Sequence, residues 1–238
     1  MTAQDSKGGD FERQHLEAGN YRARIYAMVD KGTHDKIFKG KVDGTERKLR
    51  ISFELCDEMR VFKEGSAPQP MAIHWDINNS NDDRSKLMKM VAQLDKKFDI
   101  KDSKQRRNYN VFDLIGKPCM VTVDARANKN DSSIIYNNVT GITPPMKGDE
   151  VNFKPLVNKS YCFYIPANKK DLDDWMEDLM LIHPKTRQTI YESPEWRGIM
   201  DQDDTKELEQ KLEDMYASEF GSSGSSEQYE QAGEDEWA

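Results

Sequence analysis

Three segments in the first third of the chain alternate apolar and polar side chains with the period of two that β-strands require. They are YRARIYAMV (21–29), KLRISFEL (48–55) and MAIHWDI (71–77). In the first segment, Arg22, Arg24 and Tyr26 share one side, and Ala23 and Ile25 lie on the other. Each segment therefore predicts a strand with one buried and one exposed face, which is typical of antiparallel sheets. The polar stretch 30–47, which has no apolar periodicity, is expected to be a long loop between the first two strands.

The period changes to that of a helix within residues 81–98. Leu87, Met90 and Val91 recur at helical spacing there, and Asn81 followed by acidic residues predicts the N-terminal cap. Two further strands, KPCMVTVDAR and SSIIYNNVTGI, come next. The order of three strands, one helix and two strands is that of the OB-fold, a five-stranded Greek-key barrel. We predict a mainly β protein with helices (α+β), built on this barrel with the helix between strands three and four.

The composition divides the chain into four parts. Residues 1–18 are expected to form a disordered leader, and residues 19–148 the OB-fold domain. Residues 149–217 carry helical patterns but too few apolar side chains for an independent core. We expect them to form a helical appendage that packs on the barrel or on a second subunit. Residues 218–238 end in EQYEQAGEDEWA, and we expect a disordered acidic tail.

Cysteine usage and the absence of long apolar runs indicate a cytoplasmic protein. Cys56, Cys119 and Cys162 are odd in number and far apart, which fits free thiols in a reducing compartment. The first residues lack the apolar segment of a signal peptide. No apolar run approaches the roughly 20 residues that a membrane span needs, so we expect no membrane partner.

Charge is distributed unevenly along the chain. The net charge of −8 hides a basic body, because residues 19–148 hold 24 Lys and Arg against 17 Asp and Glu, a net of +7. Residues 149–238 hold 9 against 22, a net of −13. A basic body joined to an acidic end favours a polyanionic ligand that the tail can imitate. A solvated acidic terminus without a function is the simpler alternative.

The basic side chains lie where OB-folds bind oligonucleotides, on the strand faces and in the loops between strands one and two and strands four and five. Lys and Arg neutralise phosphates, and aromatic rings among them stack on unpaired bases at about 1–3 kcal/mol per base. In the loops we expect this role for Lys31, Lys36, Phe38, Lys39, Lys41, Arg47, Arg126 and Lys129. On the strands we expect it for Arg22, Arg24, Tyr26, Lys48, Arg50 and His74. This combination predicts single-stranded nucleic acid as the ligand.

Several of these residues have structural alternatives. Phe38 could anchor a long loop, and His74 could be a solvated histidine. Trp75 lies on the apolar side of its strand and is predicted to be in the core rather than a stacking platform. The cluster KQRR after the helix is a weaker candidate, because any surface loop can carry such residues.

Motifs for catalysis and for metal binding are missing from the sequence. His15, His34, His74 and His183 are not spaced with cysteines or carboxylates as metal ligands are. Paired acidic residues predict helix caps. We therefore expect no catalytic residues, no metal, no cofactor and no enzymatic activity. A metal-dependent nuclease, the enzymatic alternative, would turn over nucleic acid only with Mg²⁺.

The segments AGNYRARIYAMVDKGT, RKLRISFEL, RSKLMKMV and GKPCMVTV, with the acidic tail, resemble single-stranded DNA-binding proteins encoded by tailed bacteriophages. The resemblance implies coating of single-stranded DNA during replication, recombination and repair in the bacterial host cytoplasm. It also implies that the tail recruits replication or recombination proteins, for which the candidate residues are Tyr229, Glu234, Asp235, Glu236 and Trp237. The bacterial pattern of a tail ending in proline and phenylalanine is absent, because this chain ends in Trp237-Ala238.

Two other functions remain open at this point. The same fold could bind RNA or anneal strands, since the sequence shows no determinant for the 2′-hydroxyl. The acidic end could instead be the functional part, as in an interaction protein that mimics DNA. Homo-oligomerisation is possible under each alternative.

Overall fold

The computed structural model describes residues 15–62, 65–131 and 135–220. Within them the chain forms one mainly antiparallel sheet of six strands, with helices between and after the strands. The strands are β1 (Gly19–Phe38), β2 (Lys41–Arg60), β3 (Gln69–Asn78), β4 (Pro118–Ala127), β5 (Ile135–Thr143) and β6 (Tyr161–Phe163). The helices are α1 (Lys86–Leu94), α2 (Ser103–Asn108), α3 (Met176–Met180), α4 (Pro184–Tyr191), α5 (Pro194–Arg197) and α6 (Gln202–Phe220). Short 3-10 turns occupy Val111–Leu114, Glu150–Asn152 and Lys169–Trp175.

The strands pair in the order β3-β2-β1-β4-β5, and β6 pairs with β1 in parallel. One edge of β1 pairs with β2 along most of its length. Its opposite edge pairs first with β4, through Gly19 to Arg24, and then with β6, through Ala27 to Val29. The expected antiparallel sheet with helices is confirmed. A closed five-stranded barrel is not, because the sheet has a sixth strand and its two ends, β3 and β5, share no ladder within the described residues.

Residues 30–47 do not form the expected loop but continue β1 and β2 into a hairpin. Its ladder runs to the pair Phe38–Lys41, and the turn residues Lys39 and Gly40 both have positive φ (51° and 73°). β3 ends at Asn78, so no third strand covers the β2 edge of residues 35–45 within the described part of the chain. We call residues 35–45 the hairpin arm. Both faces of the arm are exposed to solvent. Its strands therefore need no alternation of apolar and polar side chains, which is the pattern that identifies a strand in a sequence.

Helix α1 closes one side of the sheet but begins four residues later than predicted. Ser85 caps it rather than Asn81, its Oγ accepting a hydrogen bond from the Met88 N–H at 3.1 Å. The buried face of the helix includes Leu87 and Val91, which pack into the same core as all five long strands. Trp75 is 9% exposed and lies in this core, as predicted.

The C-terminal part forms a second apolar cluster that is joined to the sheet. Phe163 of β6, Trp196 of α5 and Leu212 of α6 are fully or almost fully buried there, and Val29 of β1 belongs to the same cluster. At three residues, β6 is too short to show a period in the sequence. Within the described residues, none of the helices has the length and apolarity that crossing a membrane requires.

Candidate nucleic-acid interface

The outward face of β1 carries Arg22 and Arg24, but residues 149–154 cross it. Arg22 forms a two-pronged ion pair with Asp149, with Nε–Oδ2 at 3.1 Å and Nη2–Oδ1 at 3.2 Å. Arg24 donates hydrogen bonds to the carbonyl oxygens of Gly116 (2.8 Å), Phe153 (3.0 Å) and Lys154 (2.7 Å). The two arginines thus hold this segment on the sheet, and contact with a nucleic acid would require the segment to move.

Tyr26 and His74 are half-buried, and each ring contacts a neighbouring side chain. The Tyr26 ring packs edge-to-face on Tyr161, with centroids 6.1 Å apart, and burial raises the pKa of Tyr26 to about 12. His74 Nδ1 lies 2.8 Å from Ser52 Oγ. Burial, helped by the nearby charge of Arg50, lowers the pKa of His74 to about 3, so the ring is neutral. The outward exposure expected for these two rings is not observed.

Arg50 and Lys31 share the carboxylate of Asp76. Arg50 Nε and Nη2 each lie 2.8 Å from it, Lys31 Nζ lies 2.9 Å away, and Arg50 Nη1 donates to Thr186 Oγ1 at 2.8 Å. Burial alone would raise the pKa of Asp76, but the hydrogen bonds and charges of the two cations outweigh it and hold that pKa well below its usual range. Both cations are therefore held within the chain by a single carboxylate, and Arg50 connects the sheet to α4.

Arg47, at the base of the hairpin arm, is tied to a fully buried carboxylate. Its Nε lies 2.9 Å from Asp30 Oδ1 and its Nη2 lies 2.5 Å from Oδ2, and these hydrogen bonds raise the pKa of Arg47. The guanidinium carbon also lies 4.8 Å from the centre of the Tyr164 ring. Lys48, also on β2, forms an ion pair with the carboxylate of Glu46, two residues before it.

The hairpin arm is the part of the expected interface that remains open. Phe38 is 58% exposed, and Lys39 Nζ lies 5.4 Å from the centre of its ring. Lys36 and Asp43 form a loose, exposed pair at 3.4 Å. Within the described residues, the Lys41 side chain makes no ion pair or hydrogen bond. The arm therefore offers an exposed ring with cations beside it.

The two faces of the arm differ in character. Phe38 and Lys41 are direct cross-strand partners and so share one face, whereas the next pair, Ile37 and Val42, lies on the other. Ile37 is 71% and Val42 is 63% exposed. One face thus combines an aromatic ring with charge, and the other is aliphatic.

The remaining candidate residues lie at the β4–β5 end and in the tail. Arg126 pairs with Asp124 at 2.6 Å while its side chain stays 72% exposed, and Lys129 is exposed. The tail candidates Tyr229, Glu234, Asp235, Glu236 and Trp237 lie outside the described residues, as does most of the expected leader.

A groove of about 550 Å³ lies beside the base of the arm, between β2, the segment after β3, and the α2 region. Cationic and aromatic side chains line it, namely Arg47, Arg106, Arg107, Tyr109, Phe112 and Tyr164. In the sequence KQRR is only a weak candidate, and the aromatic residues that follow it are not among the expected site residues. The signal that could have found the groove is the stretch KQRRNYNVF (104–112), in which two aromatic residues closely follow three basic ones.

Over the described parts of the chain, no three His, Cys, Asp or Glu side chains are arranged to hold a metal ion. Cys56 and Cys119 are buried free thiols, and burial raises the pKa of each, which disfavours the nucleophilic thiolate.

Comparison of the chain with models of known protein families and with curated proteins finds no match.

Proposed function

We propose that the protein binds single-stranded DNA, without strong sequence specificity, on an OB-type domain. The strand order supports the OB-type assignment, because β3 and β5 end the path β3-β2-β1-β4-β5 and are the two strands that an OB barrel brings together. Helix α1 lies between β3 and β4, as in that fold. Side chains of α1, β3 and β5, among them Val91, Ile73 and Val139, enter one core.

The observation that carries the proposal is the hairpin arm. It occupies the position of the loop between strands one and two, which flanks the ligand in OB-folds. Phe38 is exposed on the same face as Lys41, and an exposed ring beside uncompensated cations suits a base and its phosphates. Duplex DNA would offer this ring no free base face, so a single strand is the better ligand.

The proposed role in the cell rests on the resemblance of the sequence to phage proteins. The protein would coat single strands during phage replication, recombination and repair in the host cytoplasm. Its acidic tail would recruit partner proteins and compete with DNA for the cationic surface. A chain ending near Ser218 should then bind single strands more tightly than the full chain at low salt, and equal affinity would contradict the competition.

The arm can be tested with paired charge substitutions. Lys39→Gln/Lys41→Gln removes two cations from the arm, and Lys96→Gln/Lys97→Gln removes two exposed cations that follow α1. Fluorescence anisotropy with a labelled oligothymidine would measure affinity for each full-length variant. The arm variant should bind more weakly, and its slope of log K against log salt should be shallower by about 1.4. The control variant should keep the affinity and the salt slope of the unsubstituted protein.

The choice of ligand is tested in the same assay. Matched single-stranded RNA and duplex DNA should bind more weakly than single-stranded DNA if the proposal is correct. Equal affinity for RNA would favour the RNA-binding alternative. No binding of any nucleic acid by the full chain or by the chain ending near Ser218 would reject the proposal.

A further inference from the structure

The groove beside the arm continues the same surface. The Asn79 N–H donates to the Arg47 carbonyl at 2.7 Å, which fixes the segment after β3 against the base of the arm. Arg106 Nε donates to the Asn81 carbonyl at 2.9 Å and its Nη1 to the Ile100 carbonyl at 2.6 Å, which fixes α2 to the same segment. The wall of the groove is therefore built from three elements that are tied together.

The inside of the groove combines an apolar floor with aromatic sides. Leu49, Leu87 and Met88 form the floor and are buried members of the main core. Tyr164 is 42% exposed at one side, and Phe112 lies half-buried at the other. A volume of about 550 Å³ lies within the range of about 300–1,000 Å³ that small-molecule sites occupy. The space and its lining suit a planar ring system.

The charge of the groove is positive. The one buried carboxylate in its lining, Asp30, is compensated by Arg47. Arg106 is held by backbone carbonyls, which carry no net charge to oppose it. Arg107 is exposed, and its side chain makes no ion pair or hydrogen bond in the described residues. An anion at this rim would thus meet two guanidinium groups that form no ion pair within the described residues.

The groove also carries unused hydrogen-bonding groups. The side-chain amides of Asn79 and Asn81 line it and make no hydrogen bond to another described residue. Each offers one acceptor and two donor hydrogens, which is the set that can pair with the edge of any base. Such adaptable groups fit binding without a fixed sequence.

We propose that this groove holds one unpaired nucleobase of a bound DNA strand, with an adjoining phosphate on Arg107. The inference rests on the proposed function and adds to it a second contact, separate from the hairpin arm. The base lies among the Tyr164, Arg47 and Phe112 planes, and its edge meets the asparagine amides. The DNA strand then passes from the arm over the groove, because Arg47, two residues beyond the arm, lines the groove.

The charge contact is tested with two single substitutions on α2. Arg107 and Lys104 are both exposed residues of this helix, but only Arg107 lines the groove. Arg107→Gln should weaken oligothymidine binding about fivefold at low salt and make the salt slope shallower by about 0.7. Lys104→Gln, which removes the same charge, should change neither value. Equal effects of the two substitutions would overturn the groove proposal.

The base contact is tested with a second variant pair and a second ligand. Tyr164→Ser should lose about tenfold in affinity for oligothymidine, and Tyr164→Phe should retain it, because only the ring is needed for stacking. With an abasic oligonucleotide of the same length, Tyr164→Ser should bind like the unsubstituted protein, while Arg107→Gln should remain weaker. An equal loss of Tyr164→Ser on both ligands would overturn the stacking role.

These outcomes separate the groove from the function as a whole. If the unsubstituted full chain binds oligothymidine but Arg107→Gln and Tyr164→Ser bind as tightly, the groove proposal fails and the proposed function stands. If neither the full chain nor the chain ending near Ser218 binds any single strand, both fail. If free thymidine monophosphate displaces oligothymidine at equal nucleotide concentration, the groove is a mononucleotide site, and the strand-bound base is the wrong ligand.

Discussion

The contact that fixes the C-terminal part on the sheet is centred on Glu54, and its removal gives a sharp test of the fold. Glu54 lies on β2 and is 3% exposed. Its carboxylate accepts hydrogen bonds from the Val157 N–H (2.9 Å), the Asn158 N–H (2.7 Å) and Asn158 Nδ2 (2.6 Å). In Glu54→Gln the side chain keeps one acceptor oxygen and turns an NH₂ group toward these donors. At about 1.5–3 kcal/mol per hydrogen bond to a charged group, the expected loss is about 3 kcal/mol.

Thermal unfolding measures this loss, because the two apolar clusters share the sheet and should unfold together. For a chain of this size, about 3 kcal/mol corresponds to a fall in Tm of about 6–12 °C. Hydrogen exchange at residues 155–165 should also become faster. Glu58→Gln is the matched control on the same strand, since Glu58 makes a surface pair with Arg60 at 2.8 Å that is worth about 0–1 kcal/mol. A Tm for Glu54→Gln equal to that of the control would refute the reasoning.

Two further predictions concern stability. Gly32→Ala should lower the free energy of unfolding by several kcal/mol, because Gly32 has φ +79° and a Cβ there would lie 2.4 Å from Ser193 Cβ. Gly40→Ala, where φ is +73° but the space is open, should lower it by only about 1 kcal/mol. Urea unfolding measures both losses, and equal losses would contradict the clash at Gly32. The pKa of His74 is about 3 in the folded protein and near 6.5 in the unfolded chain. The neutral ring therefore contributes to the free energy of unfolding in full above pH 6.5, and this contribution is lost as the pH falls toward 3. At pH 5 the loss is at most about 2 kcal/mol, and His74→Asn should show a flatter stability profile between pH 7 and pH 5 if the reasoning holds.

The sequence predicts the elements whose side chains divide between core and surface. Ile25, Phe53 and Trp75 each lie on the buried face of a strand. Because the opposite face is exposed, apolar and polar residues alternate along the sequence, and this pattern can be recognised without the structure. The fifth strand and the helix before β4 follow from the same kind of pattern. The order of α1 and the five long strands could therefore be read from the sequence, although α2, β6 and the starting residue of α1 could not.

Other features depend on contacts between distant residues, which periodicity does not record. Arg22 and Arg24 look like a solvent-facing basic stripe, but Asp149 and the carbonyls near Phe153, more than 120 positions away, neutralise or bind them. The hairpin arm was missed for the opposite reason, since its residues contact water on both faces. Of the expected site, the arm lysines and Phe38 are exposed in the structure, whereas Tyr26 is half-buried against Tyr161.

The most direct test of the central claim is the salt dependence of single-strand binding by the full chain. The arm residues Lys36, Lys39 and Lys41, together with Arg107, should each release counterions on contacting a phosphate and contribute about −0.7 to the slope of log K against log salt. Titration of labelled oligothymidine at several salt concentrations should therefore give a slope of about −3. A flat plot, or no binding at low salt, would contradict the account.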